Sequence, residues 1–103
     1  MTVVLSSLSL EYVRAHVRAR LDGAVVDPTA DVVAFAFLID ADAEPGALDW
    51  VAGSWETDQS KYYARCLVGP GFKVLADGDW YVWLKITDTP EIPVRRIGKV
   101  SIS

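Results

Sequence analysis

Hydrophobic and polar side chains alternate without a break over residues 11–21. Side chains of an extended strand point to opposite faces with a period of two, so this segment is predicted to be a strand with one dry and one basic face. A helix would not separate the two kinds of residue in this way. The apolar positions are Val13, Ala15, Val17, Ala19 and Leu21, and the polar positions are Tyr12, Arg14, His16, Arg18 and Arg20.

The rest of the chain is typical of short strands separated by turn residues. Residues 32–39 are apolar at both parities, which predicts a strand that is covered on both sides. Turns are predicted at residues 22–23, 27–29, 58–60, 69–71 and 76–79, where glycine, proline, aspartate or serine punctuate the pattern. Further strands are predicted over residues 50–57, 61–68, 72–75, 80–87 and 96–102.

Seven or eight strands at near-regular spacing, with no segment of helical period, predict an all-β sandwich or barrel. Residues 1–10 are expected to form an N-terminal arm or an edge strand, and residues 11–103 a single sandwich domain. Two sheets are expected to bury Val13, Val17, Phe35, Phe37, Trp80, Val82, Leu84 and Val100 between them.

Composition narrows the class of protein. The 103 residues are enough for one domain, and 51% hydrophobic against 23% charged residues argues for a globular chain. The net charge of −4 argues against a general nucleic-acid binder. No targeting segment and no apolar run of about 20 residues is present, so we expect synthesis in the cytoplasm and no membrane partner. The single cysteine, Cys66, cannot form an intrachain disulfide.

The residues that commonly carry chemistry are few and scattered. The only histidine, His16, lies among arginines, and no residue that would orient it as a base is visible. Cys66 lies between apolar neighbours, which predicts a buried and inert thiol. The acidic residues Asp40, Asp42 and Glu44 lack the glycine and the final glutamate of a calcium loop. We therefore expect no catalytic residue, no metal site and no cofactor.

Two surface features remain as candidates for an interaction surface. The basic stripe of Arg14, His16, Arg18 and Arg20 repeats every two residues, about 7 Å apart. It could contact an acidic surface, including the acidic loop (residues 40–49) of a neighbouring copy, or it could be a solvated face that keeps the strand edge unpaired. Trp50 and Trp55, like Trp80 and Trp83, are separated by an odd number of positions. One tryptophan of each pair should therefore be in the core, and the other on an outer face. The candidate surface comprises Arg14, His16, Arg18, Arg20, Trp50, Trp55 and Trp83.

Five motifs of the chain carry a resemblance to a known group of proteins: WVAGSWET (50–57), YYAR (62–65), LVGPG (67–71), GDWYVW (78–83) and ITDTPEIPV (86–94). They resemble segments of small immunoglobulin-like structural proteins of actinobacterial tailed phages and prophages. Upstream, the order LDG, DPT and VAF between residues 21 and 35 resembles immunoglobulin-like phage domains, including the amino-terminal domain of baseplate upper proteins. Trp80 stands where such domains often have the tyrosine of the tyrosine corner.

The resemblance implies an immunoglobulin-like sandwich of about seven or eight antiparallel strands without a disulfide. It also implies a non-enzymatic virion protein, with the head and neck or head–tail connector region favoured over the capsid surface, tail or baseplate. Its partners would be copies of itself and a capsid, neck or tail protein, without nucleic acid or a small-molecule ligand. The alternative is a carbohydrate-binding module that uses Trp50 or Trp55, since small all-β domains with exposed aromatic residues often bind sugars.

Overall fold

The computed structural model of the chain describes residues 2–6, 8–21, 24–87 and 92–103, with residues 2–3, 19–21 and 24–26 described through their backbone alone. Over these residues the chain forms ten β-strands and no helix, which confirms the all-β prediction. The strands are β1 Thr2–Leu5, β2 Glu11–Val17, β3 Ala19–Leu21, β4 Ala24–Val26, β5 Val32–Leu38, β6 Val51–Ala52, β7 Ser54–Asp58, β8 Lys61–Val68, β9 Gly78–Thr87 and β10 Val94–Ile102.

Eight of these strands form two sheets. The larger sheet has the order β1-β10-β9-β5-β6, and the smaller has the order β2-β8-β7. Neighbouring strands are antiparallel, except that β1 runs parallel to β10 at the edge of the larger sheet. Strands β3 and β4 form a separate two-stranded ribbon.

The two sheets pack face to face around one core. Alternate residues of β5, β9 and β10 supply one side of this core and alternate residues of β2 and β8 supply the other, as period-two alternation requires. Phe35, Val13, Val82 and Val100 are its largest fully buried side chains. Of the eight predicted core residues, six are buried, and Val17 and Trp80 are partly buried and pack against the others.

Two segments that were predicted as single strands are each divided between two sheets. Residues 11–21 divide at Arg18, where the chain leaves the smaller sheet and enters the ribbon. Residues 50–57 divide at Gly53, with β6 in the larger sheet and β7 in the smaller. The Gly53 N–H donates to the carbonyl of Val33 (2.9 Å), and a Cβ at Gly53 would lie 2.9 Å from the carbonyl oxygen of Arg65. Only glycine fits where the chain passes this close to both sheets.

The strand predicted over residues 72–75 is wrong. This segment makes one isolated bridge, between Val68 and Lys73, and forms a loop closed by a hydrogen bond from Gly69 N to the carbonyl of Lys73 (2.9 Å). Phe72 is exposed, and Leu75 is buried. The turn predicted at residues 22–23 lies outside the described residues, as do residues 88–91 between the last two predicted strands.

The strand predicted over residues 32–39 is covered on both sides only at its middle. Val32 and Ile39, near its ends, are 68% and 69% exposed. Ala36 points away from the core yet is fully buried, because it pairs directly with Trp83 of β9, and the alanine leaves room for the indole.

Candidate interaction surfaces

The outer face of the smaller sheet carries the basic stripe, and its charges are partly neutralised there. Arg14 Nη1 lies 3.0 Å from Glu56 Oε2, and Arg65 Nη1 lies 3.6 Å from Glu56 Oε1. The guanidinium of Arg14 also lies 4.6 Å from the centre of the Tyr63 ring, and that of Arg65 lies 4.3 Å from the Tyr12 ring. Two arginines therefore share one carboxylate, and the face keeps a positive charge held between aromatic rings.

The other members of the stripe lie in different surroundings. His16 is exposed, and its ring lies 5.2 Å from the ring of Tyr63, its cross-strand neighbour. Arg18 is exposed in the link between β2 and β3. The backbone of Arg20 lies in β3, outside the smaller sheet, and its side chain is outside the described part of the structure.

Two of the four tryptophans face the interior. Trp55 packs against the core and donates its Nε1–H to the carbonyl of Asp31 (2.8 Å). Trp80 also packs against the core and donates its Nε1–H to the carbonyl of Ala76 (2.9 Å). Trp55 therefore does not lie on the same surface as Trp50 and Trp83, with which the sequence grouped it.

Trp50 and Trp83 meet on the outer face of the larger sheet. They line a cleft of about 370 Å³ together with Lys85. The ammonium of Lys85 lies 4.6 Å from the centre of the Trp50 ring. The remaining lining residues are Glu44, Pro45 and Val94. The cleft combines two aromatic rings with one cation and one carboxylate.

The acidic loop, residues 40–49, forms one wall of this cleft. Two of its carboxylates stabilise the loop itself: Asp40 Oδ1 accepts from the N–H of Asp42 (2.9 Å), and Asp49 Oδ2 accepts from the N–H of Gly46 (2.7 Å). Arg96 of β10 donates to the carbonyl of Ala41 (2.8 Å) and so attaches the loop to the sheet. The loop thus crosses the outer face of the larger sheet, on the side of the sandwich opposite the basic stripe.

The indole Nε1–H of Trp83 is removed from water and has no hydrogen-bond acceptor among the described residues. Buried donors in native proteins are nearly always paired. The unpaired N–H of Trp83, a residue that lines the cleft, is therefore an exception to this rule.

Cys66 is buried, with 3% of its surface exposed. Burial raises the pKa of its thiol to about 11, so the thiol is protonated at neutral pH. The described residues hold no group of three or more histidine, cysteine, aspartate or glutamate side chains that could bind a metal ion. In the same part of the chain, no helix has both the length and the hydropathy to cross a membrane.

Comparison with known proteins gives no relative. No protein-family model, no curated protein and no solved structure matches the chain. The resemblance to phage proteins therefore stays a prediction.

Sequence patterns alone missed the partners that complete both surfaces. Lys85 has the same parity as Trp83 in β9 and could have been placed on its face. The approach of Trp50 and Glu44 to that face depends on the pairing of β5 with β6 and β9, which no local pattern specifies. The contact of Glu56 with Arg14 likewise depends on β8 lying between their two strands.

Proposed function

We propose that the chain is a non-enzymatic structural protein of a tailed-phage virion, built on an immunoglobulin-like sandwich and acting through protein–protein contacts. The head and neck region is the favoured location, as the family resemblance implies. Three features support the proposal. They are the strand order, the hydrogen bond that Trp80 forms at the start of β9, and the distribution of charge over the two outer faces.

The strand order supports an immunoglobulin-like fold. In such folds strands B, E and D share one sheet, and strands C, F and G share the other, with C′ added beside C in the variable type. The smaller sheet, β2-β8-β7, corresponds to B-E-D, and the run β10-β9-β5-β6 corresponds to G-F-C-C′. β1 lies beside β10, which leaves the outer edge of β2 without a neighbouring strand in the described sheets.

The beginning of β9 supports the same assignment. The tyrosine corner places a tyrosine at the start of strand F, two residues before a core cysteine, and its hydroxyl bonds to the backbone a few residues upstream. Trp80 occupies this place and bonds through its indole N–H to Ala76, four residues upstream. Val82, two residues later, is 1% exposed, as is Val13 of β2. Two packed valines thus take the positions of the paired cysteines.

The observation that carries the structural role is the opposite charge of the two outer faces. One face has Arg14 and Arg65 with a single carboxylate between them. The other is crossed by residues 40–49, whose four carboxylates outnumber the two cations beside them, Lys85 and Arg96. Copies that stack with these faces together form a head-to-tail contact, which closes into a ring when the rotation between copies permits. Many such weak contacts become effective in a particle that contains repeated copies.

The proposal is tested on particles from the organism that carries the gene. An antibody raised against the purified chain should label tailed particles in electron micrographs, and mass spectrometry of gradient-purified particles should detect the chain. The flanking genes should include a portal or capsid gene. Purified particles that lack the chain, from a culture that expresses it, would contradict the proposal.

A further inference from the structure

We propose that the cleft between Trp50 and Trp83 binds a single pyranose ring of a carbohydrate. This site goes beyond the proposed structural role and does not depend on it. It departs from the expectation that the protein has no small-molecule ligand, and it shares Trp50 with the carbohydrate-binding alternative, with Trp83 in place of Trp55. The proposal is based on the size of the cleft, the chemistry of its lining and the orphaned donor of Trp83.

The size of the cleft suits a small ligand. Its volume of about 370 Å³ lies near the lower end of the range of about 300–1,000 Å³ that is usual for small-molecule sites. One sugar ring fits such a space better than an extended peptide, which needs a longer groove. The floor is the sheet itself, with Trp83 and Lys85 two positions apart on β9 and therefore on the same face.

The lining combines the two kinds of contact that a sugar ring requires. A pyranose has apolar faces of C–H groups and a rim of hydroxyl groups. Tryptophan offers a large flat apolar surface with a polar edge, so Trp83 can pack against one face of the sugar ring. Trp50 can pack against the other face when the Lys85 ammonium moves from the indole to a sugar hydroxyl group. Lys85 and Glu44, neither of which belongs to an ion pair formed by the described residues, can donate to and accept from the hydroxyl groups.

The mixed charge of the lining argues against an anionic ligand. The ammonium of Lys85 is held 4.6 Å from the centre of the Trp50 ring, where the face of the indole already attracts it. The carboxylate of Glu44 lies in the same lining and would repel an anion. A neutral ligand with many hydroxyl groups uses both side chains without this penalty.

The orphaned donor of Trp83 fits a site that rearranges on binding. Its Nε1–H is covered, so a ligand oxygen can reach it only when the residues around it shift. Glu44 and Pro45 bring the acidic loop into the cleft, and the bond from Arg96 to Ala41 is the one hydrogen bond that joins residues 40–49 to the sheet within the described structure. A loop that is attached to the sheet by a single hydrogen bond can open locally. A sugar hydroxyl group can then accept a hydrogen bond from the Nε1–H of Trp83.

The four indole N–H groups give a test with internal controls. The ¹⁵N-labelled protein is titrated with the methyl glycosides of glucose, galactose, mannose, N-acetylglucosamine and rhamnose, and indole signals are followed by NMR. The signals of Trp50 and Trp83 should shift on addition of at least one glycoside, with the Trp83 proton moving downfield as it gains an acceptor. Trp55 and Trp80 pack against the core and already donate to carbonyl groups, so their signals should stay in place.

Single substitutions test which side chains of the cleft contribute to glycoside binding. Trp50→Ala should weaken binding of that glycoside at least tenfold, because one stacking surface is lost. Trp83→Phe keeps a ring but removes the N–H, and should weaken binding severalfold. Tyr12→Ala, on the opposite face of the sandwich, is the matched control and should bind like the unaltered protein.

Three results would overturn the proposal. The first is that none of the glycosides moves the Trp50 and Trp83 signals. The second is an affinity that Trp50→Ala leaves unchanged. The third is a shift of the same signals on addition of a proline-rich decapeptide but on addition of none of the sugars. That result would make the cleft a peptide-binding site. The titration uses the unaltered protein, so it remains decisive even if a variant fails to fold.

Discussion

Two tryptophans in one strand show how differently the same side chain can be used. Trp80 donates its N–H to the carbonyl of Ala76, whereas the N–H of Trp83, three residues later, has no acceptor in the described structure. Replacement by phenylalanine removes the same atoms at both positions. We expect Trp80→Phe to lower the free energy of unfolding by about 1 kcal/mol more than Trp83→Phe, because only Trp80 loses a hydrogen bond.

Urea denaturation of the two variants measures this difference directly. The same atoms are removed in both variants, and the packing that Trp80 loses against the core adds to the loss of its hydrogen bond. Equal destabilisation, or a greater loss in Trp83→Phe, would show that the bond at the beginning of β9 contributes little.

Because the thiol of Cys66 is buried, the free energy of unfolding is expected to change with pH in the alkaline range. Its pKa is raised from 9.0 to about 11 by burial in the folded protein, while the unfolded chain ionises near 9. The unfolded state therefore binds fewer protons between pH 9 and 11, and the free energy of unfolding falls across this interval as pH rises. Below pH 9 the contribution of Cys66 does not change with pH.

Chemical unfolding at pH 8, 9, 10 and 11 should show this decline, and Cys66→Ala should show less of it. In the native protein at pH 8 the thiol should react with a disulfide reagent far more slowly than in 6 M urea. Rapid labelling of the native protein would contradict the burial of this side chain.

At the scale of strands, Gly53 is the position where the chain changes sheets. An added Cβ would lie 2.9 Å from the carbonyl oxygen of Arg65 and 3.0 Å from the ring of Phe35. Neither neighbour can move freely, because one is backbone and the other is fully buried. Gly53→Ala should therefore lower the free energy of unfolding by about 1–3 kcal/mol.

Gly46 is the matched control, since its added Cβ would meet only the Asp49 carboxylate at 3.5 Å, an ordinary contact. Gly46→Ala should change stability by no more than about 0.5 kcal/mol. Thermal or urea unfolding of the two alanine variants gives the comparison. A similar result for both would show that the sheets have room to adjust at the crossover.

The pairing of β9 with β10 is reinforced at one end by Asp79. Its carboxylate accepts from Ser101 Oγ (2.6 Å) and lies 3.6 Å from Lys99 Nζ. The hydrogen bond from Ser101, followed by the charge of Lys99, lowers the pKa of Asp79. A carboxyl group with a lowered pKa stabilises the fold above its unfolded pKa, near 4, and loses that effect as pH falls through its folded value.

Thermal melting between pH 2 and 7 should therefore show a smaller acid-induced loss of stability for Asp79→Asn than for the unaltered chain. At neutral pH the variant should be less stable. Asp77→Asn, at an exposed position two residues earlier, is the control. Identical dependence of the melting temperature on pH for Asp79→Asn and the unaltered protein would show that Asp79 does not contribute to the loss of stability in acid.

The sequence predicted the strands well where one face meets the core, and poorly where the chain changes layers. Alternation placed Val13 and Val82 correctly, because burial on one side imposes period two. The break at Arg18 left that alternation intact, so no local signal marked it. At Gly53 the glycine itself was the only local signal, because a glycine within a strand often marks a close approach of backbone. The two-sided burial of Ala36 was predictable from its strand, but its cover, Trp83, follows from long-range register. Strand parity predicted that one of Trp50 and Trp55 faces the core, but which of the two does so depends on the same long-range register.

For the whole molecule, the decisive property is that the two outer faces differ in charge. The stripe on the smaller sheet is not a row of free cations, since Arg14 is bound to Glu56. Replacing Arg14 by glutamate would put two carboxylates together and disturb the sheet itself. Arg18 is exposed and lies between strands, so it reports on a contact between copies without this complication. Asp42 is its counterpart in the acidic loop, exposed and with a side chain that makes none of the hydrogen bonds found in the loop.

If copies stack through these faces, sedimentation at high protein concentration should show self-association in 50 mM NaCl and its loss in 500 mM NaCl, where charges are screened beyond about 4 Å. Arg18→Glu and Asp42→Lys should each weaken association by roughly fivefold, the order expected for an exposed pair worth up to about 1 kcal/mol. An equal mixture of the two variants should recover part of the loss, because the reversed charges again face opposite partners. A chain that stays monomeric in low salt, or a mixture that associates no better than either variant alone, would exclude head-to-tail stacking through these two faces.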